Sequence, residues 1–222
     1  MTKQNHLRPL VFAFVAAVGL LALTFADHWI WAHVKVANPE EIQKKDWYQA
    51  LRQLGYWPTW VCVGVLIMLA DLRPAAEGVR RGPVSRGMLV VMSAGLGGLA
   101  AELLKVVTHR FRPGETGEYM FSWMVGGDRG PGFGLASSHA GVAFGAAFML
   151  ARLWPRTGPV VVALAVGCGV TRLLVGAHFA TDVYVAAVMS YAVAAGLWRL
   201  PNFAARRAMA PKTDTPHQAQ AK

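Results

Sequence analysis

The chain of 222 residues is 55% hydrophobic and 15% charged, with a mean hydropathy of +0.35, a composition that belongs to a membrane protein. Its formal charge is +10 and its isoelectric point lies near 10.1. Nucleic-acid binding is excluded as the cause of that basicity by where the charges fall along the chain.

Six apolar segments approach the roughly 20 residues that a bilayer core requires, at 10–26, 57–70, 87–107, 138–153, 160–175 and 183–197. They predict an all-α integral membrane bundle of six transmembrane helices within residues 1–200. With the N-terminus inside, thirteen of the 22 Lys and Arg residues lie in cytoplasmic pieces against three acids, so the whole +10 is cytoplasmic. Lys and Arg are retained on that side of the membrane, and the basicity is therefore a topology signal, with anionic-lipid contact as its companion. Both termini are then cytoplasmic.

Lys3 and Arg8 precede the first segment, and small residues flank Phe25 as at a signal-peptide cleavage site. The apolar run is long for such a peptide and gives an even helix count, so it is read as an uncleaved first helix. On the outer side, Asn38, Pro39, Glu40 and Glu41 carry the marks of a helix start: a capping side chain, a proline in first position and acids in the first turn. Ile42, Trp47, Leu51 and Leu54 stand there among Lys44, Lys45, Asp46 and Arg52, which predicts a short amphipathic helix on the membrane surface. Trp29, Trp31, Trp47, Tyr56, Trp57 and Trp60 read as an interfacial aromatic belt. Residues 73–86 form a basic, proline-bearing cytoplasmic loop, and residues 201–222 a disordered cytoplasmic tail. Cys62 and Cys168 sit in apolar segments as small buried hydrophobes, without the spacing of a disulfide or metal pair.

Three polar clusters interrupt this pattern. At the end of the third span, Lys105 and Arg112 are seven residues apart, close to two helical turns, so on a helix they share a face and converge on one anion. Lys105 is deep in the segment, where a charge normally has a function. Arg110 reads as a cation snorkelling at the helix end, Glu102 as a neighbour pairing with Lys105, and Pro113 as the stop. The fourth span opens with Ala136, Ser137, Ser138 and His139; amides, hydroxyls and an imidazole at a helix N-terminus make an anion site, and either serine also serves as an ordinary N-cap. Gly141 and Gly145 suit close helix packing. Before the sixth span, His178 and Asp182 are four apart, so on a helix the carboxylate holds one imidazole nitrogen and leaves the other free as base or nucleophile. Arg172 adds a planar fork for phosphate or carboxylate.

The runs Lys105 to Pro113, Ala136 to His139 and Thr171 to Asp182 resemble, in order and internal spacing, the three-part signature of the type 2 phosphatidic acid phosphatase superfamily, which includes the vanadium haloperoxidases. The resemblance implies that His178 is the nucleophile, forming a phospho-histidine, with Asp182 orienting it. It implies that His139 protonates the leaving alkoxide and later activates water. Lys105, Arg112 and Arg172 would hold the phosphoryl oxygens, with Ser137 and the Ser138 amide completing the cradle. Phosphoryl transfer asks mainly for positioning and charge neutralisation, which three fixed cations supply without a metal or other cofactor. Ala136 stands where the family has proline, Ser138 where it has glycine and Thr171 where it has serine; Ser138 keeps its amide but loses glycine's freedom.

The expectation is a bacterial inner-membrane lipid phosphatase with its site on the outer face. Its partners would be membrane lipids and a lipid phosphate: undecaprenyl pyrophosphate, phosphatidylglycerophosphate, phosphatidate or a lipid A phosphate. Two other classes use the same residues: a lipid phosphotransferase, and a non-catalytic lipid-phosphate binder or transporter suggested by the altered second motif. The six spans exclude a soluble haloperoxidase.

Overall fold

Long apolar runs satisfy their backbone groups within a bilayer only as helices, and each of the six predicted segments is helical in the computed structural model. It describes residues 4–71, 85–115, 117–125 and 132–209. The helices are α1 (Gln4–Val34), α2 (Pro39–Gln43), α3 (Asp46–Gln53), α4 (Trp57–Asp71), α5 (Arg86–Thr108), α6 (Ser122–Val125), α7 (Ser138–Leu153), α8 (Gly158–Leu174) and α9 (Ala180–Met209). Among the described residues, β-pairing is confined to the isolated bridges Arg110 to Phe121 and Phe111 to Phe133.

Six complete spans are not what these helices provide. Among the described residues four stretches, Pro9–Val34, Arg86–Thr108, Pro155–Leu174 and Ala180–Leu200, are long and apolar enough to cross a membrane, and α3 with α4, bent by 69°, makes a fifth if taken as one span. The 16 residues of α7 rise about 24 Å, short of the roughly 30 Å hydrocarbon core. The reason lies in its position. Ala140 to Ala147 are all buried, so α7 is enclosed by neighbouring helices and is not required to match the lipid thickness by itself.

Lipid tails are as apolar as leucine, so helices associate in a membrane through close packing and interhelical hydrogen bonds. The α5 and α7 pair shows both. A Cβ on Gly145 would lie 2.3 Å from the Ser93 carbonyl oxygen, and one on Gly141 would lie 2.6 Å from that of Gly97. Both glycines thus serve the backbone approach expected of them. Ser93 Oγ donates to the Gly145 carbonyl at 2.6 Å, and Ser190 Oγ of α9 donates to that of Gly141 at 2.8 Å. In contrast, α1 keeps Leu10, Phe14, Leu21 and Phe25 exposed and leans on α9, as a lipid-facing helix does.

The surface segment differs from its expectation. It folds as two short helices, and α3 packs on α8 instead of lying free on the membrane: Tyr48 is fully buried, and a Cβ on Gly167 would meet Leu51 at 2.9 Å. Trp29, Trp47 and Trp57 are exposed as belt residues, but Trp60 is a core residue whose Nε1 donates to the Leu54 carbonyl at 2.7 Å. Cys168 is buried as expected, whereas Cys62 is exposed on α4. The tail expected to be disordered from Pro201 is helical to Met209. Residues 210–222 and most of the 73–86 loop lie outside the described residues.

Candidate active site

Three chain turns deliver the polar clusters to one end of the bundle. At the end of α5, His109 takes the left-handed conformation (φ 50°) and its amide donates to the Lys105 carbonyl at 3.0 Å. The helix therefore stops at Thr108 and not at Pro113. Arg112 lies beyond it in an extended stretch, its amide donating to the Gly132 carbonyl at 2.9 Å, so Lys105 and Arg112 do not share a helical face. The left-handed cap breaks the spacing argument. Both cations nevertheless lie close enough to act electrostatically on Glu102. Lys105 Nζ donates to Glu102 Oε1 and to Ser138 Oγ, each at 2.8 Å.

At the start of α7, Ser137 occupies the N-cap position without a side-chain cap bond; its hydroxyl is buried and has no hydrogen-bond partner. The first amides of α7 remain open to an anion, as helix N-termini do. The backbone of this turn is tied to the third cluster by the Ser137 amide, which donates to the Asp182 carbonyl at 3.1 Å.

After α8 the chain closes a Schellman turn: Ala177 N–H donates to the Arg172 carbonyl at 3.0 Å, and Gly176 N–H to that of Leu173 at 2.9 Å. Gly176 has φ +66°, a conformation that suits glycine. The turn brings His178 to the start of α9, outside the helix, where Asp182 sits in the first turn and its Oδ2 accepts from the Phe179 amide at 2.9 Å. A carboxylate there caps the helix and answers its dipole. The same oxygen lies 3.2 Å from His178 Nδ1, so the predicted pair forms through a capped turn instead of a continuous helix. His178 is 3% exposed, and burial holds its proton affinity below that of an ordinary histidine although the Asp182 carboxylate pulls the other way.

The sequence reading missed what holds Asp182. Arg110, taken above for a surface cation, is buried; its Nη2 donates to Asp182 Oδ1 and, at 2.9 Å, to Thr181 Oγ1. Its guanidinium stacks over the rings of Tyr119 and Phe179, at 5.0 and 5.3 Å. Thr181 donates in turn to Asp27 of α1 through its amide (3.0 Å) and its hydroxyl, and Tyr119 Oη donates to Asp27 Oδ2 at 2.7 Å. Burial and Asp27 together push the Tyr119 phenol well above its usual range. The network thus runs from His178 through Asp182, Arg110 and Thr181 to the first helix.

The rings of His139 and Tyr56 meet in a T-shaped pair with centroids 5.0 Å apart. Arg172, Arg52, His178 and Lys105 all lie close enough to act electrostatically on it. Arg172 is 9% exposed, and neither it nor Arg112 has a carboxylate partner among the described residues. Buried polar atoms are normally satisfied. Among the described residues, Ser137 Oγ, His139 Nε2, Arg172 Nε, Arg52 Nε and Tyr48 Oη are buried without partners, as are Trp31 Nε1, Arg110 Nε and Arg152 Nε; His139, Arg52 and Tyr48 each lie close enough to Arg172 for electrostatic interaction. Among the described residues, no group of three or more His, Cys, Asp or Glu side chains is arranged to hold a metal.

The sequence profile of the PAP2 superfamily matches residues 86–206. Among solved structures, the chain resembles a transmembrane PAP2-type phosphatidylglycerolphosphate phosphatase from Bacillus subtilis, with a TM-score of 0.51 and 19% identity over 87% of this chain and 94% of that one. That likeness is one of fold. A search of curated proteins gives no match.

Proposed function

The chain belongs to the PAP2 superfamily, and on that premise we propose that it is a multi-pass membrane lipid phosphatase working through a phospho-histidine at His178. The observation that carries the reading is the fixed imidazole: His178 Nδ1 held at 3.2 Å by an Asp182 that Arg110 anchors in turn, within electrostatic reach of Arg112 and Arg172, which have no carboxylate partner among the described residues. With Nδ1 engaged, Nε2 carries the lone pair that attacks phosphorus. The bond between phosphorus and the leaving oxygen breaks, and His139 supplies the proton that oxygen takes up. His139 then receives a proton from the water that attacks the phospho-histidine, which restores His178 and releases phosphate. Lys105, Arg112 and Arg172, with Ser137 and the Ser138 amide, neutralise the charge spread over the three equatorial oxygens.

A lipid substrate is supported by the placement of the site at one end of a bundle with an exposed apolar surface, where the headgroup can enter while its chain stays in the bilayer. The cytoplasmic concentration of Lys and Arg supports a bacterial inner-membrane protein whose site faces outward. Purified protein in detergent, given undecaprenyl pyrophosphate, phosphatidylglycerophosphate, phosphatidate and a lipid A phosphate in turn, is expected to release inorganic phosphate from at least one of them. Tight binding of all four without release would overturn the proposal in favour of a binder. Transfer of the phosphoryl group to a second lipid would identify a phosphotransferase.

A further inference from the structure

Among the described residues, three cations at the site are left without a carboxylate, and that count exceeds what one phosphoryl group balances. Lys105 is paired with Glu102 and Arg110 with Asp182, whereas Arg112, Arg172 and Arg52 have no carboxylate partner among the described residues. A phosphomonoester carries about 1.5 to 2 negative charges near neutral pH.

Arg52 comes from α3, outside the three clusters that form the rest of the site. The turn after α3 seats directly on His139: a Cβ on Gly55 would lie 2.7 Å from that of His139. Tyr56 bridges the two, with its ring 5.0 Å from the imidazole and 5.7 Å from the Arg52 guanidinium. Arg52 also lies close enough to act electrostatically on Arg172. Its buried Nε has no partner, and Tyr48, fully buried on the same helix and near Arg172, has an unpartnered hydroxyl. Two like charges brought together beside a neutral donor, each with unmet hydrogen bonds, are the marks of an anion seat.

We propose that Arg52 and Tyr48 form a second phosphoryl subsite beside the reacting one, so that the preferred lipid carries two phosphoryl groups on its headgroup. The non-reacting group, whether the inner phosphate of a diphosphate or a phosphodiester spaced from a terminal phosphate, is held by the Arg52 fork and the Tyr48 hydroxyl. The inference rests on the phosphatase reading for the reaction and on α3 for the selectivity.

Two pairs of probes separate the sources of the second group: a short prenyl diphosphate against its monophosphate, and phosphatidylglycerophosphate against phosphatidate. Hydrogen bonds to charged groups are worth enough that Arg52→Ala is expected to lower kcat/KM for the two-phosphoryl member about tenfold to a hundredfold more than for its partner, mainly through KM. Arg52→Lys, which keeps the charge and loses the fork, falls between, and Tyr48→Phe moves the ratio in the same direction by roughly threefold. A shifted ratio in the prenyl pair identifies a diphosphate, and one in the glycerolipid pair a spaced phosphodiester. Equal loss on both members of each pair, or no loss, overturns the subsite. Binding of the same four lipids to the His178→Asn protein, with and without Arg52→Ala, reads the subsite apart from turnover. Lack of phosphate release by the wild-type protein would therefore end the phosphatase reading, while the binding ratio would still decide the role of Arg52.

Discussion

Removing Arg110 tests the buried network most severely. The side chains of Arg110 and Asp182 are 8% and 0% exposed, so solvent screens their attraction little. Truncation to alanine leaves Asp182 buried without its cation, and breaking such a pair costs about 3–5 kcal/mol, on the order of 10 °C in melting temperature for a chain of this size. Asp182 keeps the Phe179 amide and His178, so its position is loosened and not abolished. Small misplacements of reacting groups cost up to about a hundredfold in rate, and a loss of kcat by roughly ten- to a hundredfold is expected. Arg110→Lys retains the charge but forfeits the stacking on Tyr119 and Phe179, and should recover part of both losses. Thermal unfolding in detergent and phosphate release measure the two quantities on the same samples. An Arg110→Ala protein that melts and turns over like the wild type would show that the cation merely covers a helix end.

Helix packing gives a second prediction. Gly145→Ala sets a Cβ 2.3 Å from the Ser93 carbonyl oxygen and should destabilise the protein by about 1–3 kcal/mol, read by thermal melting, whereas Gly114→Ala, with nothing within 4 Å, should not. The acid dependence follows from His178. Its depressed proton affinity keeps it neutral at pH 7; the accompanying stability is present above the ordinary value of about 6.5 and lost as pH falls through the lower folded value. An NMR titration of the His178 ring should give a midpoint below about 6.5, with activity failing over the same acid range, and a midpoint above it contradicts the reasoning. Because the charge neutralisation is assigned to side chains, turnover should persist in EDTA, while vanadate, a mimic of the five-coordinate phosphoryl state, should inhibit; collapse in EDTA would place a metal in the reaction.

What the sequence revealed and what it hid have separate physical origins. The contact of His178 with Asp182 was legible because a separation of four residues suits a capped turn as well as a helix, and the apolar runs were legible because a bilayer permits few alternatives, whereas the helical face expected for Lys105 and Arg112 was lost at the His109 cap. Arg110 was hidden because the left-handed cap at His109 starts an extended segment, and nothing in the local pattern foretells its partner 72 residues on. Asp27 was hidden for the same reason, since it meets Thr181 at a separation of 154 residues. The amphipathic character of α3 was visible, but whether its apolar face met lipid or protein was not, and that choice buried Tyr48 and drew Arg52 toward the site. The short α7 was taken for a full span because composition records polarity and not enclosure.

The central claim is covalent: during turnover the phosphoryl group rests on His178. Rapid denaturing quench of the enzyme with its lipid substrate, followed by mass spectrometry of the peptide containing His178, is expected to find a phosphoryl group on that imidazole, labile to acid, and none in the His178→Asn protein. An unmodified His178 peptide throughout steady turnover, or full phosphate release by His178→Asn, would contradict the account.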